Sequence, residues 1–170
     1  MSGLSRFLLA LSMVVVMLPN STLAEPYVWP AWRATTAEGK EFHSRQLDGK
    51  VVVMTMWASW CPSCRKQLPV LDKLQEFYRD DSVQVLSFSF DHSEKIHEKF
   101  VSEQDLHFPS IFARTGEGLK VVKMLQKGAG TLEAVPTVLI YDKNGRLTHH
   151  LVGFFNRKQL EDLISPLLDE

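Results

Sequence analysis

The chain carries only two cysteines, and both lie in the run Trp60-Cys61-Pro62-Ser63-Cys64. Before them stands the apolar run Val51-Val52-Val53-Met54-Thr55-Met56-Trp57; after them the stretch from Arg65 to Arg79 is amphipathic. The first pattern predicts a buried strand and the second a helix, so the two sulfurs fall where a strand turns into a helix. That position decides their chemistry. The thiolate is the reactive form of cysteine, and the first turn of a helix offers unpaired N–H groups and a positive dipole end that stabilise negative charge. Cys61, at the helix mouth, is the expected attacking thiol. Cys64, one turn inside on the same side, is placed to close a disulfide with it or to resolve a mixed one. The arrangement points to a dithiol redox centre.

Two other readings of the pair are weaker. A structural zinc site takes four protein ligands, and no second Cys-x-x-Cys or close His-x-His pair supplies the rest. A purely structural bridge closing so small a loop removes little entropy from the unfolded chain.

The segment from Val51 to Pro69 resembles thioredoxin, and more closely the exported thioredoxin-like thiol:disulfide oxidoreductases of the TlpA/ResA type. The resemblance rests on the apolar strand, on Trp57-Ala58-Ser59-Trp60-Cys61-Pro62-Ser63-Cys64-Arg65, on Pro69, and on Val135-Pro136-Thr137, which is similar to the family's cis-proline loop. It covers roughly residues 39 to 170. It implies an α/β thioredoxin fold, a central mixed β-sheet flanked by helices, here with an extra N-terminal extended segment. It also implies that Val135, before a cis Pro136, meets an incoming peptide strand, and that Trp60 shields Cys61 and shapes a docking surface. The residues expected against a substrate are therefore Trp60, Pro62, Ser63, Val135 and Pro136, beside the catalytic Cys61 and Cys64.

Residues 1–24 read as an export signal. Arg6 supplies positive charge, Phe7 to Leu18 is apolar apart from Ser12, Pro19 ends the run, and Thr22-Leu23-Ala24 resembles a cleavage site. The apolar run is short for a membrane span, so a cleaved leader is expected over an anchor, with membrane association only if cleavage fails. No cysteine lies near the cleavage point to carry a lipid. The expected location is the periplasm. With 19 basic against 20 acidic residues, the chain gives nucleic-acid binding no support.

Residues 25–38, with Tyr27, Trp29 and Trp32, show no clean period and read as an extended lead-in packed on the domain that occupies 39–170. Lys40 to His43 reads as a short strand, followed by a turn at Leu47-Asp48-Gly49-Lys50. Leu68, Leu71, Leu74 and Phe77 or Tyr78 form the helix's apolar stripe, with a kink expected at Pro69. Val83 to Phe90 reads as a strand buried on both faces, as in a parallel sheet. Asp91 with Glu94 is the expected N-cap pair of a second helix that presents Ile96 and Phe100. Phe108 to Phe112 reads as extended, Glu117 to Leu125 as helix, and Gln126 to Ala134 as a glycine-containing loop. Thr137 to Tyr141 and Leu147 to Val152 pair as a hairpin across Asn144-Gly145. Asn156 with Gln159 opens the last helix, whose core face is Leu160, Leu163, Ile164, Leu167 and Leu168.

Two departures from the resembling proteins bear on proton transfer. Thioredoxin has a buried aspartate where this chain has Thr55, with Ser87 opposite, and the exported relatives often carry glutamate where it has Gln67. The site is thus expected to be free of carboxylates, with water or Glu133 as the substitute proton acceptor for Cys64. Thr137 stands where cytochrome-maturation members usually have glutamate. His149 and His150, adjacent on a strand, point to opposite faces and do not grip one metal ion.

The expected function is thiol:disulfide exchange without metal or cofactor, in the reducing direction. The implied partners are oxidised proteins and a membrane thiol-transport protein that donates electrons. The competing readings are a disulfide oxidant or isomerase, and a copper- or zinc-binding chaperone using the same dithiol. A peroxidase is disfavoured, since no Thr-x-x-Cys pattern precedes the helix.

Overall fold

In a computed structural model, residues 28–78 and 82–169 are described, so the expected export signal lies outside the described residues. Strand β3 (Val51–Trp57) is the axis of the architecture. It pairs in parallel with β4 (Val83–Ser89) on one side and antiparallel with β6 (Thr137–Tyr141) on the other. Outside these lie β5 (Ser110–Phe112), parallel to β4, and β7 (Leu147–Val152), antiparallel to β6. The order β5-β4-β3-β6-β7 is a mixed sheet.

Side chains alternate across a strand, and β3 uses both faces for core. Val51, Val53 and Trp57 pack with Leu68, Leu71 and Leu74 of α1 (Pro62–Phe77) and with Leu160, Ile164 and Leu167 of α4 (Arg157–Leu168). Val52, Met54 and Met56 face the other way, onto Val121, Val122 and Leu125 of α3 (Gly116–Ala129). All seven residues of β3 are buried, which explains a run that is apolar but for Thr55. Helix α1 continues through Pro69, and of the two candidates for its last stripe position Tyr78 packs on the core while Phe77 is exposed.

The lead-in contains a strand that its sequence did not reveal. β1 (Arg33–Thr35) pairs antiparallel with β2 (Glu41–His43) and buries only Ala34, too short an element to show a period. Trp29 meets Tyr141 edge-on at 4.5 Å between ring centroids, and Trp32 stacks on Phe42 at 5.8 Å. Both tryptophans thus serve packing.

Three local expectations are corrected. Helix α2 (Glu94–Gln104) is capped by Ser93, whose Oγ accepts from the Ile96 N–H at 3.3 Å, because Asp91 is engaged elsewhere. Its inner face is consequently His97 and Val101, one turn apart, with Phe100 partly buried and Ile96 turned to solvent. The stretch from Gln126 to Ala134 is only in part a loop. Helix α3 runs on to Ala129, Gly130 closes it by donating its N–H to the Gln126 carbonyl, and Leu132 is fully buried.

The β6–β7 turn forms at Asp142-Lys143-Asn144-Gly145, where Gly145 takes a positive φ of 74° and Asp142 Oδ1 accepts from the Asn144 and Arg146 N–H groups. Asn156 and Gln159 form the reciprocal capping box of α4.

Candidate active site

The end of β3 delivers the chain to the site. After Trp57 a turn runs through Ala58, Ser59 and Trp60, closed by the Cys61 N–H donating to the Ala58 carbonyl at 3.1 Å. Cys61 is the N-cap of α1 and Pro62 its first residue, a position where proline's fixed φ and missing N–H are both tolerated. A disulfide joins Cys61 to Cys64, with their Cα atoms 5.2 Å apart. Cys64 is wholly buried, and Cys61 keeps 4% of its surface exposed, so of the two cysteines only Cys61 has any exposure.

Around Cys61 Sγ the donors of the helix mouth converge. The Cys64 N–H donates to it at 3.1 Å, and Ser63 Oγ lies at 3.3 Å. Each favours the thiolate of the reduced form. Ser63 thus stands against Cys61 Sγ. Opposite stands the Val135 carbonyl oxygen, 3.7 Å from the same sulfur, in the turn formed by the cis Val135–Pro136 peptide bond. Val135 is half-buried and Pro136 buried. The turn is fixed from below: Thr137 Oγ1 donates to the Ala134 carbonyl, and Thr55 Oγ1 to that of Thr137. Thr55 thus serves as an anchor for the cis-proline turn.

Trp60 is 54% exposed and stacks on His92 with 6.1 Å between ring centroids. It forms one wall of a cleft of about 580 Å³ that continues along Phe90, Val122, Leu132 and Val135, with Arg114 and Lys123 also lining it. The structure therefore brings Trp60, Ser63, Val135 and Pro136 to Cys61, with Pro62 exposed beside them.

Two residues near the sulfurs have roles that the sequence did not show. Gln67, buried, grips the backbone of Phe155 through both ends of its amide. Asp91, fully buried, accepts from the Ser59 N–H at 2.8 Å, the Ser59 hydroxyl at 2.7 Å and the Ser89 hydroxyl at 2.8 Å. That carboxylate stands beside the turn that leads into Cys61, where the sequence reading placed no acid. Asp91 follows β4, and the parallel pairing of β3 with β4 sets it against the turn after β3. Nothing in the local sequence signals that, because the contact spans 32 positions. Glu133 is exposed on the cleft, and no hydrogen bond joins it to the buried Cys64 among the described residues.

Beneath the site His97 lies against Trp57 and Phe112, with Nε2 2.7 Å from Ser110 Oγ. Burial lowers its pKa to about 4 against the opposing pull of Asp91 and Glu38, so it is neutral near pH 7. His149 faces inward more than His150 on β7. Among the described residues no group of three or more His, Cys, Asp and Glu side chains is arranged to hold a metal ion.

Comparison with known proteins adds three findings. A family model described as the AhpC/TSA family matches residues 27–150. The thiol-disulfide oxidoreductase ResA of a Bacillus cereus strain is 28% identical over 138 residues, 81% of this chain and 75% of that one. Among solved structures, the thioredoxin-family thiol:disulfide interchange protein of Chlorobium tepidum TLS superposes with a TM-score of 0.76 at 20% identity, over 85% of this chain and 98% of the other. A secreted thiol-disulfide isomerase of Corynebacterium glutamicum superposes with a TM-score of 0.71 at 22% identity, over 90% and 96%. These superpositions show the thioredoxin fold.

Proposed function

This chain belongs to the AhpC/TSA family and is a thiol-disulfide oxidoreductase of thioredoxin fold, and from that premise we propose that it works in the periplasm as a reductase of oxidised partner proteins. The observation that carries the reading is the Cys61–Cys64 pair at the head of α1, with the Val135 carbonyl facing the Cys61 sulfur. Residues 1–24 support delivery across the inner membrane. The resemblance to the TlpA/ResA type supports the reducing direction.

The cycle follows from the geometry. In the dithiol form the Cys61 thiolate attacks one sulfur of a partner disulfide. The partner's S–S bond breaks, a mixed disulfide forms, and the departing partner thiolate takes up a proton. Cys64 then loses its proton and attacks Cys61 Sγ, which releases the second partner thiol and leaves Cys61–Cys64 oxidised. Two electrons have passed to the partner. A membrane thiol-transport protein restores the dithiol by the same exchange run on this disulfide. During attack the partner's backbone lies along Val135, and the Trp60 cleft receives a flanking side chain.

Equilibration with glutathione buffers of stated ratio tests the direction. A reduction potential near the thioredoxin value of about −270 mV is expected; one near about −120 mV, typical of a strong oxidant, would reverse the assignment.

A further inference from the structure

Asp91 is a fully buried carboxylate that no cation reaches among the described residues. Hydrogen bonds alone hold it. Oδ1 takes both donors of Ser59, and Oδ2 takes the Ser89 hydroxyl, whose oxygen in turn accepts the Asp91 N–H at 3.1 Å. Burying a charge is costly unless hydrogen bonds replace its hydration, and a neutral side chain would fill the space without that penalty.

What the charge touches suggests its use. Ser59 lies inside the turn that the Cys61-to-Ala58 bond closes, so the carboxylate grips the segment that carries Trp60 and Cys61. The grip comes from β4, which β3 and the Phe90-to-Trp57 bond at 2.7 Å hold in register. The bonds to Ser59 set the negative charge of Asp91 beside the segment that leads into Cys61.

We propose that Asp91 is a positioning residue of the dithiol, holding the Trp60-Cys61 turn through Ser59 and opposing the Cys61 thiolate by its charge, which keeps the couple reducing. The second half rests on the reductase reading. The helix mouth and Ser63 favour the thiolate, and an attacking thiol with too low a pKa makes the reduced form too stable to give up its electrons. Asp91 counters that pull. Other ionisable groups border the same region: Arg65 one turn along α1, His92 under Trp60, His97 from α2, and Arg114, Lys123 and Glu133 around the cleft. Of the two carboxylates, Asp91 is buried and Glu133 exposed, so solvent screens Glu133 and leaves Asp91 the stronger influence.

The test is the rate of Cys61 alkylation against pH in the reduced full-length protein, for wild type, Asp91→Asn and Glu133→Gln. Asp91→Asn keeps an acceptor for Ser59 and removes the charge. Its midpoint is expected to fall by about one pH unit, so that alkylation below both midpoints speeds up about threefold, the roughly tenfold gain in thiolate being partly offset by its lower nucleophilicity, while Glu133→Gln follows the wild-type curve. The reduction potential of Asp91→Asn should rise in parallel. An unmoved midpoint in Asp91→Asn, or a fall in Glu133→Gln instead, overturns the electrostatic half. For positioning, Ser59→Ala should slow reduction of a protein disulfide several-fold and Ser59→Thr should restore it; a Ser59→Ala rate equal to wild type overturns that half. Should Asp91→Asn not fold, carboxyl carbon NMR of wild type decides. The Asp91 resonance must step at the Cys61 midpoint in the reduced protein and not in the oxidised one, since coupling is reciprocal, and its absence refutes the proposal. Alkylation and NMR need no partner, so they read Asp91 even if the chain proved not to be a reductase.

Discussion

Gln67 holds Phe155 by both of its backbone polar groups, Nε2 donating to the carbonyl at 3.1 Å and Oε1 accepting from the N–H at 2.8 Å. This pair ties the second turn of α1 to the segment before α4, across 88 positions of sequence. Both bonds need an amide at this position, since an ionised carboxylate makes only one of the two.

Gln67→Glu therefore carries a structural cost as well as a chemical one. The ionised side chain sets an oxygen against the Phe155 carbonyl and leaves it without a donor, a loss of about 1–3 kcal/mol. Once protonated, the introduced carboxyl donates again, so the deficit should shrink as pH falls towards the ordinary glutamate range of about 4. Urea unfolding of the variant and wild type at neutral and acid pH measures both effects. A deficit that does not change with pH would show that the bond to the carbonyl contributes nothing.

Burial of neutral His97 is expected to weaken the fold in acid. The imidazole is neutral in the folded state with a pKa lowered to about 4, chiefly by burial, whereas the unfolded chain takes up the proton near the ordinary value of 6.5. The unfolded state thus binds more protons between these values, and stability falls as pH drops from about 6.5 to about 4. The loss reaches about 3 kcal/mol at most. Replacing His97 by Gln, which keeps a hydrogen-bonding group for Ser110, should flatten that part of the curve. Unfolding midpoints between pH 7 and pH 4 for both proteins decide; equal slopes would remove His97 from the account.

Gly118 marks where α3 touches β5. A Cβ built there would stand 2.0 Å from the Phe112 carbonyl oxygen and 2.9 Å from Ile111 Cγ2, and the first of these is backbone that cannot swing aside. Gly118→Ala should destabilise the fold by about 1–3 kcal/mol or more despite alanine's better helix propensity, because overpacking outweighs that gain. Thermal unfolding of the variant measures it. A melting temperature at or above wild type would mean that α3 shifts freely on the sheet.

Elements with a strong local signal were legible in the sequence. The β3–α1 junction with its two cysteines, the Asn144-Gly145 hairpin and the Asn156–Gln159 box each carry their chemistry within a few residues, whereas the Val135–Pro136 turn was legible only through the family resemblance. What escaped depends on contacts between distant segments. β1 buries one side chain and has no period to read. Gly128 and Gly130 suggested a loop, although α3 keeps its apolar face in contact through Leu125 and the chain returns to the core at Leu132. Asp91 followed by Glu94 resembles a cap in sequence; only the pairing of β3 with β4 shows that its carboxylate belongs to Ser59. Gln67 looked like a missing acid because its partner lies at the other end of the domain.

The central claim is that Cys61 attacks and Cys64 resolves. It rests on the 4% exposure that Cys61 keeps against the full burial of Cys64, and on the Cys64 N–H directed at Cys61 Sγ. Mixed-disulfide trapping with single-cysteine variants, resolved by non-reducing mass spectrometry against an oxidised model protein, tests it most directly. Cys64→Ser should accumulate a covalent complex through Cys61, and Cys61→Ser should form none and show no exchange. A complex that accumulates on Cys61→Ser and not on Cys64→Ser would contradict the assignment and make the buried sulfur the nucleophile.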